Sequence, residues 1–225
     1  MREIVYVIIL SVVACLTLYF LTQIVEVNYA LQTILKVCFF VVIPIGYVYF
    51  VKKIKFTHYL NWKTLLHNPS KLSWIFAIST FTIILIAYFF LGSFVDFNSI
   101  ASELREKSDI TASNFIFIGL YITFGNSLLE ELFFRGFIFK NLYHTNYKKT
   151  AYLFSSLLFA LYHIAIFKTW FNIWLIILCT IALFAIGMLF NWLNANSKGF
   201  MNSWIIHIFA DAAIIIVGFR MFDIF

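Results

Sequence analysis

Seven apolar runs, at about residues 4–25, 33–51, 73–91, 113–139, 151–167, 172–193 and 201–219, take up most of this chain. Each is long enough, at ~1.5 Å rise per residue, to cross most of a ~30 Å hydrocarbon layer as a helix. Lipid offers the backbone no hydrogen-bond partners, so a span must satisfy its own N–H and C=O groups, as a helix does. Composition agrees: 63% of residues are hydrophobic and 12% charged, against ~25% charged in a soluble domain. The reading is an all-α, polytopic transmembrane helical bundle of about seven spans. The fifth run is the shortest and could be tilted or partly re-entrant.

The net charge of +6 comes largely from short loops. Lys52, Lys53, Lys55, Lys63 and Lys71 lie in one loop with no acid, and Lys140, Lys148 and Lys149 flank another. The connector 92–111 instead carries Asp96, Glu103, Glu106 and Asp109 beside Arg105 and Lys107. Basic loops stay cytoplasmic. Seven alternating spans then place the N-terminus inside, leave most basic residues on the inner side and a minority on the outer, and put Arg135 in the membrane. A multi-pass protein of a bacterial inner or plasma membrane is expected. The acidic stretch 96–111 is expected to hold a short amphipathic helix outside; Ser102-x-x-Arg105 is not a capping box. No phosphate-binding glycine loop, zinc-finger spacing or basic stripe is present, which argues against nucleotide or nucleic-acid partners. The lipid bilayer itself is the expected surrounding. Three cysteines (Cys15, Cys38, Cys179) lie far apart in apolar runs, where they act as small hydrophobes and form no disulfide framework. Val12-Val13-Ala14-Cys15 resembles a lipoprotein cleavage box, but the apolar run continues past it, as in an ordinary first membrane helix.

Six ionisable residues lie well within the predicted spans: Glu130, Glu131, Arg135, His163, His207 and Asp211. A carboxylate near the bilayer centre costs at least ~2.5 kcal/mol, so such residues are paired, shielded or functional. Glu131 and Arg135 are four apart with Glu first, the favourable order for a helical ion pair. His207 and Asp211 share a helix face, as do Phe159 and His163. Glu130 lies ~15 Å from the inner surface, His207 and Asp211 ~9–15 Å and His163 ~18–20 Å, counted at 1.5 Å per residue. The groups can therefore meet. A carboxylate and an imidazole around one water can deprotonate it. Two imidazoles and a carboxylate, here His163, His207 and Glu130, can instead hold a divalent metal such as zinc that lowers the pKa of its water. Both routes lead to hydrolysis of a carbonyl bond, and the residues leave the choice between metal and metal-free chemistry open. No Ser or Cys forms a convincing nucleophile pair with a histidine.

Glu-Glu-x-x-x-Arg at 130–135, Phe-x-x-x-His at 159–163 and His-x-x-x-Asp at 207–211 together resemble, in order and separation, the signature motifs of the CAAX protease and bacteriocin-processing (CPBP, or Abi) intramembrane proteases. The resemblance covers about residues 113–219. It divides the chain into an N-terminal part, 1–112, of three spans and the acidic loop, and a four-helix catalytic core, 113–225. It implies Glu130 as general base sharing a water with His163, Glu131 and Arg135 as structural support, Phe159 packed beside His163, and His207 with Asp211 in the oxyanion-stabilising position. Asp211 stands where relatives often carry Asn. An ionised Asp cannot donate to an oxyanion, so Asp211 is protonated, orients His207 or assists a metal. The pocket is expected to open toward the cytoplasmic half or laterally to lipid. The resemblance implies an endopeptidase acting on a membrane-embedded peptide or protein, such as a lipidated C-terminus, a pheromone precursor or a bacteriocin-related peptide. Lys-, Ile- and Phe-rich usage like that of an AT-rich bacterial genome favours peptide maturation or self-immunity over prenylated substrates. The alternatives are a non-enzymatic bacteriocin-immunity or scaffold protein and a small transporter or proton relay.

Overall fold

The computed structural model describes residues 2–53, 62–65, 67–145 and 147–224. Lys55 and His58, both in the first basic loop, lie outside them. Seven helices are long and apolar enough to cross a membrane: α1 (Arg2–Gln23), α2 (Tyr29–Phe50), α3 (Lys71–Leu91), α5 (Phe115–Tyr143), α6 (Lys148–Phe167), α7 (Ile173–Ala195) and α8 (Met201–Met221). A further helix, α4 (Phe97–Ser108), is the expected helix of the acidic connector. Its N-cap is Asp96, whose side chain accepts from the Ser99 amide at 3.1 Å. The amide is an orphan donor of the first turn, and the carboxylate satisfies it. Lys107 near the end of α4 bonds Glu26 at 3.0 Å in the α1–α2 connector, and that hydrogen bond raises the affinity of the ammonium for its proton. Among the described residues there is no strand. The fifth span is a continuous helix of 20 residues, with no re-entrant break.

The helices are not wrapped in polar surface. Phe50, Phe89, Phe117 and Trp174 are largely exposed, as expected where the surrounding medium is hydrocarbon. Burial concentrates on α5 and α6, whereas α3 and α7 are mostly exposed to lipid. A phenylalanine-rich core joins the two halves of the chain: Phe40 on α2 stacks on Phe133 with centroids 4.2 Å apart, and Phe134 meets Phe159 at 5.3 Å. Val7, Ala14 and Leu18 of α1 belong to the same cluster. The core therefore crosses residue 112, and α1 and α2 pack directly on α5 and α6.

Two local devices set the helices around the site. Gly187 lets α7 approach α6 so closely that a Cβ there would lie 3.1 Å from the Ser156 Cα. Asn191, one turn further, then donates to the Ser156 hydroxyl at 3.0 Å. This is the small-residue and polar-bridge packing of membrane helices. The second device is π-helical winding in α5, over Tyr121–Asn126 and Leu132–Phe139. There the Ser127 amide reaches back to Ile122 O and the Lys140 amide to Arg135 O, an i→i+5 pattern that recurs at functional sites. The α-helical stretch between these turns, Ser127–Glu131, carries both glutamates.

Candidate active site

Glu130 and Glu131 are neighbours in sequence, yet a helix turns ~100° per residue, so they face different partners. Glu131 is fully buried and points toward α7 and α8. It accepts from Arg135 Nη1 at 3.0 Å, from His207 Nδ1 at 3.0 Å and from the Ser203 hydroxyl. Ser203 in turn accepts from Asn194 Nδ2 at 2.5 Å. The Arg135 guanidinium lies between two rings, 4.1 Å from the Phe159 centroid and 4.7 Å from that of Phe190. Arg135 and Glu131 thus form the expected buried ion pair, wrapped in aromatic faces that suit a weakly hydrated cation.

Glu130, 1% exposed, faces the two histidines instead. Its Oε2 lies 3.4 Å from His163 Nε2 and 3.7 Å from His207 Nε2. The other nitrogen of each ring is committed. His163 Nδ1 stands 2.8 Å from the Phe159 carbonyl, which can only accept, so that nitrogen carries the proton. His207 Nδ1 meets the Glu131 carboxylate at 3.0 Å and donates likewise. Both Nε2 atoms converge on Glu130 Oε2, which accepts no hydrogen bond from the described residues. Such a close approach of three electron-rich atoms requires a proton or a cation among them.

The sequence-derived pieces come together closely. Phe159 packs on His163 with ring centroids 4.4 Å apart and on His207 at 5.9 Å. Asp211 Oδ2 sits 3.9 Å from His207 Nε2 and finds no hydrogen-bond partner among the described residues. Glu131 holds the Nδ1 side of the ring, and Asp211 faces the Nε2 side where chemistry would occur. A fit to zinc can be tested on the donor set. Glu130, His163 and His207 each offer a ligand atom within 4.8 Å of the others, and both rings have Nδ1 engaged by an orienting acceptor, as metal-bound histidines do. The residues fit a His₂Glu site; Asp211 is not a member of that donor group.

Sequence reasoning missed Asn126, Lys36 and Ser203. Asn126 Nδ2 donates to Glu130 Oε1 at 2.8 Å, and Lys36 Nζ of α2 donates to Asn126 Oδ1 at 2.8 Å. Lys36 is not among the six ionisable residues placed above within the spans; the structure sets it inside the second helix, 4.0 Å from Glu130 Oε1. Asn126 was legible as the residue one turn before Glu130, and Ser203 as the residue one turn before His207. His67 and His144 are not among the groups that surround Glu130.

An apolar groove of 430 Å³ runs beside this centre between α3, the first half of α5 and α8, lined by Phe81, Phe124, Phe209 and Ile215 among others. Thr123 and Ala212, both in its wall, neighbour the site through Ser127 and Asp211.

Residues 112–213 match the family model of type II CAAX prenyl endopeptidases, described as Rce1-like. That stretch of the chain is Rce1-like. It contains all three motifs, and the match agrees with the CPBP resemblance drawn from them. No curated protein and no solved structure matches the chain. With seven candidate spans, the chain is a multi-pass membrane protein, and its residues 112–213 are similar to CAAX-type intramembrane proteases.

Proposed function

We propose that this Rce1-like chain is an intramembrane endopeptidase that hydrolyses a peptide bond of a membrane-associated peptide or protein. The observation that carries the reading is the free Oε2 of Glu130, buried in the helix bundle and facing two imidazole Nε2 atoms at 3.4 and 3.7 Å. A water in that gap donates one proton to Glu130 Oε2 and is steered by His163 Nε2. Its oxygen attacks the carbonyl carbon, the C–N bond breaks, and Glu130 returns the proton to the departing amine, leaving an amine and a carboxylic acid that then loses the water's second proton. His207, held through Nδ1 by Glu131, is placed to take up a proton and donate from Nε2 to the oxyanion, with Glu131 stabilising the imidazolium. A divalent ion such as zinc, if bound, would be held by Glu130, His163 and His207, polarising the carbonyl and acidifying water. Arg135 and Ser203 keep Glu131 in place, and Phe159 fixes the His163 ring. The basic loops favour a cytoplasmic N-terminus in the cell membrane.

The family description points to prenylated C-terminal peptides, while other membrane peptides fit the same chemistry. Purified protein in lipid nanodiscs, given a fluorogenic farnesylated CAAX peptide and a panel of unprenylated membrane peptides, tests the reading. Cleavage by the wild type and none by Glu130→Gln is expected, and repeating the assay with a chelator reports the metal requirement. No cleavage of any peptide, with the Glu130→Gln phenotype in cells unchanged from wild type, would leave a non-enzymatic immunity or scaffold role.

A further inference from the structure

The two oxygens of Glu130 are treated differently by the fold. Oε2 faces the histidines and is free, whereas Oε1 accepts from Asn126 Nδ2 at 2.8 Å. Asn126 is the last residue of the first π-helical turn of α5, four positions before Glu130 on the same helix. An amide side chain can be placed either way round, and its orientation follows from what surrounds it. Here the surroundings decide it. Lys36 Nζ lies 2.8 Å from Asn126 Oδ1, and an ammonium only donates. A reversed amide would set the NH₂ group against the ammonium and the carbonyl against the Glu130 carboxylate. Lys36 therefore fixes which end of Asn126 meets Glu130.

The cation is itself held in place. Its stem leaves α2 two residues before the π-helical turn Cys38–Val42, and its ammonium lies 5.7 Å over the Tyr162 ring, next to His163. The Lys36 side chain is 20% exposed and stands 4.0 Å from Glu130 Oε1. Arg135 touches Glu131 directly. Lys36 is instead set back from Glu130 by one amide, so it can orient the carboxylate without capping the oxygen that must take a proton. Residue 36 lies outside the Rce1-like segment 112–213.

We propose that Lys36, acting through Asn126, is a positioning residue for Glu130: it holds Oε1 through the amide and leaves Oε2 for the attacking water. The proposal rests on the endopeptidase reading for its catalytic consequence, and on contacts alone for the relay. It gives the N-terminal helices a part in the reaction beyond packing.

Two measurements on full-length protein in nanodiscs test it. The first is kinetics with the fluorogenic farnesylated CAAX peptide for Lys36→Met, Lys36→Arg, Asn126→Ala and the double variant Lys36→Met/Asn126→Ala. Removing a partner that orients a reacting group typically lowers activity about 10- to 100-fold. That loss is expected in kcat with KM unchanged, Lys36→Arg should recover most of it, and the double variant should be no slower than Asn126→Ala alone. The second is infrared difference spectroscopy, wild type minus Glu130→Gln, which isolates the carboxylate stretch of Glu130 without turnover. That band is expected to move in Lys36→Met and in Asn126→Ala and to stay in Lys36→Arg. An unmoved band in Lys36→Met, or losses that multiply in the double variant, would overturn the relay. A band that moves in Lys36→Met and Asn126→Ala, beside a wild-type protein that cleaves no peptide, would refute the endopeptidase reading and leave the relay standing.

Discussion

Replacing Arg135 by methionine keeps most of the side-chain volume and removes one charge from the most enclosed part of the molecule. The guanidinium is fully buried, pairs with Glu131 at 3.0 Å and lies against the faces of Phe159 and Phe190. Breaking a buried pair by removing one partner costs about 3–5 kcal/mol, because the remaining charge is left uncompensated. Loss of a desolvated cation from two ring faces adds about 1–2 kcal/mol, so Arg135→Met should destabilise the fold by about 4–7 kcal/mol. Glu131 would keep its bonds from Ser203 and His207, but these donors do not replace the missing guanidinium. The double variant Glu131→Gln/Arg135→Met removes both charges and should lie within about 2 kcal/mol of the wild type, since paired removal is often near neutral. Equilibrium unfolding in mixed micelles, followed by tryptophan fluorescence, measures all three proteins. Single and double variants of equal stability, or an Arg135→Met variant as stable as the wild type, would refute the reasoning that this ion pair is a mutually dependent support of the site.

Other changes separate the roles of neighbouring residues. Glu130→Gln should lower peptide cleavage by at least about 10²-fold while leaving the unfolding midpoint near that of the wild type. Asp211→Asn removes a carboxylate whose Oδ2 has no hydrogen-bond partner among the described residues and supplies an N–H donor in its place. Cleavage should persist within about tenfold and stability should rise by about 1 kcal/mol, read from kcat and from the same unfolding assay. Gly187→Leu forces side-chain atoms into Ser156 of α6, where even a Cβ meets backbone at 3.1 Å. Overpacking of this kind should cost about 1–3 kcal/mol and break the Asn191–Ser156 bond, with thermal unfolding as the readout.

The hydropathy pattern made the seven spans legible because burying unpaired backbone in lipid leaves few alternatives to helix. The motif residues were legible for a related reason. Charged and imidazole groups stand out in an apolar run, and spacings of four put Glu131 with Arg135 and Phe159 with His163 on common faces. What spacing could not give was winding. A regular helix does not foretell the two π-helical stretches of α5, which flank the turn that carries Glu130 and Glu131. Lys36 was missed because the second apolar run was read from about residue 33, which left the lysine only about one turn inside its outer end. The helix begins at Tyr29, so Lys36 lies two turns inside it. Ser203 and Asn126 are polar residues of ordinary membrane-helix type, and their meaning comes from what stands opposite on other helices. The N-cap of α4 was likewise hidden, since Asp96 lies upstream of the Ser102-x-x-Arg105 pattern.

The central claim is that water, activated at Glu130, cleaves a peptide bond inside the helix bundle. Mass spectrometry of products formed in water enriched in heavy oxygen tests this most directly. The account predicts one heavy oxygen in the newly formed carboxylate with the wild type and no product with Glu130→Gln. Product from Glu130→Gln at the wild-type rate, or a new carboxylate without the heavy oxygen, would contradict it.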